Sequence, residues 1–270
     1  MDYYWIRNTE KTVAALRRAT RGVAVLPLGS IESHGPHLPL GADPLCIEHI
    51  MARVLAKVKV AVLPTFIYSF VASARMHPGA IHIPSALVMD LAEHICDEVA
   101  RNGFNKIVLI HGHGGNPFLG SSFTRRVLEK EKPYAVYSIP VLPGRREEMF
   151  AQCETTDIGH ACELETSLCL AACPELVNMK ALGRKTFASR PGPDVGCAVT
   201  PADWIARHPE MAVGYPQKAD ADKGDRILQI WADVIADCLR RIKKDTVCLS
   251  AMKRYTARVH SVAAARRDAG

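Results

Sequence analysis

Residues 23–44 read Val-Ala-Val-Leu-Pro-Leu-Gly-Ser-Ile-Glu-Ser-His-Gly-Pro-His-Leu-Pro-Leu-Gly-Ala-Asp-Pro. The run 23–28 is continuously apolar and stops at Gly29, the pattern of a parallel strand buried on both faces. Asp43-Pro44 predicts a helix start, with Asp43 as N-cap and Pro44 in the first position, running to about Lys57. Between strand and helix lie Glu32 and His34, spaced so that an extended chain turns both to one face. Together with Asp43 they offer two carboxylates and an imidazole within twelve residues, a donor set suited to a metal ion. A polar loop in which Asp43 merely caps its helix is the alternative; a capping carboxylate keeps one oxygen free to ligate. His37 stands either behind a ligand, orienting it, or as a plain loop histidine.

The same strand-then-helix alternation continues along the chain. Val58–Leu63 is a second β-rich run closed by Pro64, and Leu87–Arg101 is helical up to the Asn102-Gly103 stop. Lys106–Ile110 is a third buried strand, a helix follows from Asn116-Pro117 to about Lys132, and Tyr134–Ile139 is a fourth strand. A helix is expected over Gly159–Ala172, an irregular Pro/Gly-rich segment over Lys185–Lys218, and a closing amphipathic helix over Asp225–Ile242. This order predicts one α/β domain, a mainly parallel sheet flanked by helices, spanning residues 1–245. In such sheets ligands bind beyond the carboxyl ends of the strands. Glu32 and His34 follow the first strand and His111 and His113 follow the third, so both motifs fall on one rim.

His111-Gly-His113-Gly-Gly-Asn116 lacks the glycine spacing and the following acidic residue of a nucleotide cradle. One histidine ligates while the other buttresses, and His113, farther from the strand end, is the expected ligand. His160 and Glu163, read as i, i+3 on one helix, share its surface, whereas Glu165 lies about 140° from His160 at ~3.6 residues per turn and faces elsewhere. Cys162, Cys169 and Cys173 look like a core stripe, and Trp204, Trp231 and Met211 like packing residues.

The 270 residues are 48% hydrophobic and 23% charged, ordinary globular usage with ample chain for a core. Nine cysteines without a CxxC pair, behind an N-terminus with no export signal, read as reduced thiols in the cytoplasm. No apolar run approaches the ~20 residues that span a bilayer. The net charge of +6 is local: Arg240–Gly270 holds nine Lys/Arg against two Asp/Glu, which leaves −1 elsewhere. Residues 246–270 are therefore read as a basic C-terminal tail, a frayed helix end. The near-neutral body argues against a nucleic-acid binder.

Three motifs, Leu28-Gly-Ser-Ile-Glu-Ser-His-Gly-Pro-His-Leu-Pro39 with Asp43, His111–Asn116, and His160-Ala-Cys-Glu-Leu-Glu-Thr-Ser167, resemble those of the creatininase (creatinine amidohydrolase) family over roughly the first 175 residues. The resemblance implies an α/β sandwich, two divalent ions (zinc or manganese, with iron a further candidate), hydrolysis of an amide-like bond in a small molecule, and a homo-oligomer, commonly a hexamer. Carried over by position, it implies Glu32, His34, Asp43, His113 and Glu163 as ligands, with Asp43 bridging. It implies His160 as the catalytic histidine that protonates the leaving nitrogen, with His37, His77, His111 and Asn116 supporting ligands or substrate. Two ions bring +4 against −3 from the three carboxylates, leaving one positive charge for an anionic nucleophile. Gly115 stands where creatininase itself has a glutamate ligand, His77-Pro-Gly-Ala80 stands where Phe-Pro-Gly-Thr is common, and no tryptophan adjoins the His160 motif in sequence. A substrate other than creatinine is expected. Cyclic amides and formamides are the first choice, with a cyclic keto-polyol of the 3-dehydro-scyllo-inosose type, opened at a C–C bond, as the alternative. A non-catalytic metal-binding protein would use the same ligands without needing His160.

Overall fold

A computed structural model describes residues 1–267. Four parallel strands, β1 (Val23–Leu28), β2 (Ala61–Val62), β3 (Lys106–His111) and β4 (Ala135–Ile139), form one sheet in the order β2-β1-β3-β4. Among the described residues ten α-helices accompany them: α1 (Val13–Thr20), α2 (Ala42–Leu55), α3 (Ser85–Arg101), α4 (Ser121–Glu129), α5 (Arg146–Phe150), α6 (Glu163–Ala172), α7 (Met179–Leu182), α8 (Asp203–Arg207), α9 (Ala221–Lys244) and α10 (Val247–Arg267).

The period of two along β1 and β3 divides the core. Val23, Val25, Val108 and Ile110 face a cluster completed by α2, α6 and α9. Ala24, Leu26, Ile107 and Leu109 face the other, completed by α1, α3 and α4. Both strands are buried throughout, as apolar runs without alternation require. Helices α6 and α9 approach so closely at Gly224 that any Cβ there would collide with the Ser167 carbonyl.

The strand order reverses between β1 and β3, whose last residues, Leu28 and His111, are paired partners. Both motif-bearing loops leave the sheet at this one point, where a crevice opens beyond the strand ends.

Several elements differ from the sequence expectation for local reasons. β2 is only two residues long because the N-terminal segment crosses it: Val62 donates to the Tyr3 carbonyl and pairs with Tyr4. The helix expected from Asn116 splits into a 3-10 turn, Pro117–Leu119, and α4, since Asn116 ties down residues 69–70 instead of capping. α2 starts at Ala42 with Gly41 as N-cap, so Asp43 lies inside the first turn and caps nothing. The closing helix begins earlier than expected because Asp220 caps it, accepting from the amides of Asp222 and Lys223. The basic stretch after residue 246 is helical over Val247–Arg267, with Met252 packed on the second core cluster. Asp268–Gly270, the end of the expected tail, lie outside the described residues.

Candidate metal centre

Asp43 stands at the middle of the crevice. Its Oδ1 lies 3.2 Å from His34 Nε2, and its Oδ2 lies 2.9 Å from His113 Nδ1. His113 Nδ1 is also 2.8 Å from Glu32 Oε1. The Ser30 hydroxyl, 2.7 Å from Asp43 Oδ2 and 3.1 Å from Glu32 Oε1, holds the two carboxylates side by side. On the far side, Glu165 Oε2 is 3.9 Å from both His34 Nε2 and His160 Nδ1. Two sets of donors result, Glu32–Asp43–His113 and His34–Asp43–Glu165, each compact enough to hold one ion and sharing Asp43. A third set, Glu32–His34–His160, overlaps them.

The electrostatics favour positive charge here. Burial alone would lower the pKa of His34, but Asp43, Glu165 and Glu32 outweigh it and raise it to about 9. His113 is likewise raised to about 10, with Asp43 and Glu32 overcoming burial. Asp43 and Glu32, which burial would push up, are held below the usual carboxylate range by those imidazoles. The carboxylates are thus balanced only by groups able to release a proton, which suits a site where cations exchange with protons. The buried Nε2 of His113 has no protein partner, and a Cβ at Gly115 would collide with it. The donor set, imidazole plus carboxylate, fits zinc, manganese or iron.

Glu163 does not belong to this cluster. It is fully buried, and its oxygens accept from the Glu154 and Thr155 amides, the Thr155 hydroxyl and Lys223 Nζ. The helical spacing argument failed because His160 is not on the helix: Ala161 is left-handed (φ 52°), Cys162 is extended, and α6 starts only at Glu163. Glu165 is therefore the third residue of the first turn. Its side chain reaches back over the helix start, accepting from the Ala161 amide at 2.6 Å. No residue-type signal marked this contact, since the N-cap Cys162 makes no side-chain cap bond and Glu165 reaches one residue beyond it.

Of the supporting residues, His37 bonds Thr166 at 2.8 Å and His111 bonds Ser138 at 3.0 Å. Both have pKa values near 4, from burial and a neighbouring charged imidazole. They prop the two motif loops from behind. Asn116 donates to Ser69 and accepts from the Phe70 amide. His77 bonds the Pro209 carbonyl at 2.8 Å, and it lines a separate surface depression, not the crevice. Trp204 and Met211 pack together as expected, and they also line the crevice. The Trp204 ring meets His160 edge-on with centroids 6.1 Å apart, and its indole N–H points to Met211 Sδ. The sequence distance of Trp204 from the His160 motif concealed this contact.

An α/β sandwich whose switch-point crevice gathers three carboxylates and three histidines has the donors of a metal-binding α/β protein. A Bacteroides fragilis structure solved as a candidate creatinine amidohydrolase superposes with a TM-score of 0.77 at 24% identity, over 92% of this chain and 99% of its own. The creatininase family model, described as creatinine amidohydrolase, matches residues 7–239, and the chain belongs to this family of hydrolases. The match runs well past residue 175, where the motif resemblance faded. The creatinine amidohydrolase of Pseudomonas putida is 25% identical over 234 residues, 81% of this chain and 88% of that protein. The mycofactocin precursor peptide peptidase of Mycolicibacterium smegmatis is 27% identical over 233 residues, 82% of this chain and 85% of that protein.

Proposed function

We propose that the protein hydrolyses an amide-like C–N bond, in a cyclic amide or a formamide, at a centre of two divalent ions held by Glu32, His34, Asp43, His113 and Glu165. The observation that carries this reading is Asp43, whose two oxygens face two imidazoles in two separate donor sets. Two such ions bring +4 against −3 from Glu32, Asp43 and Glu165, so the exchange of Glu165 for Glu163 leaves the charge balance intact. When bound, zinc or manganese supplies Lewis acidity and brings the pKa of water toward ~7.

The remaining work falls to the chain. Ser30 fixes Glu32 beside the shared Asp43. His37 and His111, neutral at physiological pH, keep the loops in register without adding charge. His160 handles the proton. Its Nε2 lies 2.7 Å from the Ser33 carbonyl, which can only accept, so Nε2 carries hydrogen and Nδ1 is the basic atom turned toward Glu165. Nδ1 takes a proton and returns it to the leaving nitrogen. Exposed Leu87 and Leu91, one turn apart on α3, support assembly into a homo-oligomer, to be checked by light scattering.

The test is to incubate metal-loaded protein with lactams, formamides and cyclic polyketones. C–N cleavage is expected. Turnover of polyketones alone would replace this reading with C–C bond hydrolysis.

A further inference from the structure

The crevice at the metal centre has two unlike walls. One is the carboxylate–imidazole cluster. The other is built by Val141, Leu142, Phe150, Ile158, Trp204 and Met211, from the loop after β4, the end of α5, the loop before His160 and the segment around α8. The space between them is about 430 Å³, room for a small molecule and not for a folded partner. Among the described residues lining it there is no Lys or Arg, and beyond the cluster Ser73 brings the one side-chain hydroxyl. The arginines of the neighbouring depression are engaged: Arg145 pairs with Glu148, and Arg146 donates to the Val141 carbonyl on the outside. Trp204 is seated firmly, packed with Val71, Ala74 and Met211, its ring 4.6 Å from His208.

A phosphate or carboxylate placed against this wall would be desolvated without a cation to meet it, and a polyol would find almost no hydrogen-bond partner. An apolar group would lose nothing and would gain contact with an aromatic face. Resting on the amide-hydrolase reading of the metal centre, we infer that the natural substrate is an uncharged amide whose remaining part is a compact apolar or aromatic group, seated on Trp204 and Phe150. Phosphorylated and polyhydroxylated substrates are excluded by the same wall.

Binding can be read apart from turnover with ketones that have no scissile C–N bond. Calorimetry on the metal-loaded protein compares acetophenone with 4-acetylbenzoate, 4-acetylphenyl phosphate and the hydroxylated ketone erythrulose. Acetophenone is expected to bind at least about tenfold more tightly than the other three, and Trp204→Ala to remove about tenfold of that preference. Ile158→Arg, which places a cation on the wall without touching Trp204, should narrow or invert the gap to the phosphate. Equal or tighter binding of an anionic or hydroxylated ketone, no acetophenone binding at all, or a gap unmoved by both variants would overturn the inference. Formanilide and 4-formamidophenyl phosphate give the turnover arm. Discrimination among ketones without hydrolysis of any amide leaves the apolar wall standing and removes the amidohydrolase reading. Hydrolysis that prefers the phosphate does the reverse.

Discussion

Two buried acidic clusters in this protein are neutralised in opposite ways. At the crevice, the cationic partners of Glu32, Asp43 and Glu165 among the described residues are imidazoles. Between α3 and α4, buried Glu93 is gripped by Arg126, Lys130 and Lys132. Lysine and arginine keep their charge at any physiological pH, so the second cluster is closed to other cations and locks two helices. Histidine releases its proton, so the first can trade protons for metal ions. Carboxylates alone do not mark a cation site; what distinguishes one is whether their partners can leave.

The largest effect should come from breaking the shared carboxylate. Asp43→Ala is expected to drop metal content below half of the wild-type value and to cost more than the ~10²-fold typical of an outer-shell change. Elemental analysis and turnover check both, and unchanged stoichiometry would mean that Asp43 serves neither ion.

His160→Ala should keep its metal yet lose roughly 10²–10⁴ in turnover, less for substrates with good leaving groups. Metal loss in that variant would make His160 a ligand, the role its place in the overlapping donor set allows.

The comparison sharpens further at the two glutamates of α6. Glu165→Gln should weaken metal binding and leave the fold intact. Glu163→Gln should keep the metal but lower stability by up to about 3 kcal/mol, because a neutral amide at this fully buried position weakens the charge-assisted hydrogen bonds from Lys223 and from the Glu154 and Thr155 amides. Thermal denaturation and metal titration separate the two, and the opposite pattern would restore Glu163 as the ligand.

The smallest effect belongs to the closed cluster and appears only in acid. Burial alone would raise Glu93; the hydrogen bonds from Lys130, Lys132 and Arg126 win and lower it to about 2. A carboxyl depressed on folding contributes stability above its unfolded pKa, near 4.5, and that contribution is lost as pH falls through about 2. On the order of 3 kcal/mol, an upper figure given the partly exposed lysines, should vanish over that window. Acid unfolding of Glu93→Gln should lack this component, while metal content at neutral pH stays at the wild-type level.

From the residues alone came the alternating order of strands and helices, the burial of β1 and β3, the convergence of the 32–43 and 111–113 motifs on one rim, and the family. These follow from local pattern: apolar runs, turn residues, and the rule that parallel strands present their carboxyl ends together. Tertiary structure alone placed Glu165, and not Glu163, beside His34 and Asp43, because a left-handed Ala161 displaces the helix start and leaves His160 off the helix. It alone brought Trp204 beside His160 from a segment without periodicity, and left His77 outside the crevice. A side chain's direction depends on where its helix begins, and a contact between distant segments depends on the packing between them. Neither quantity is local, and so neither is written in the spacing of residues.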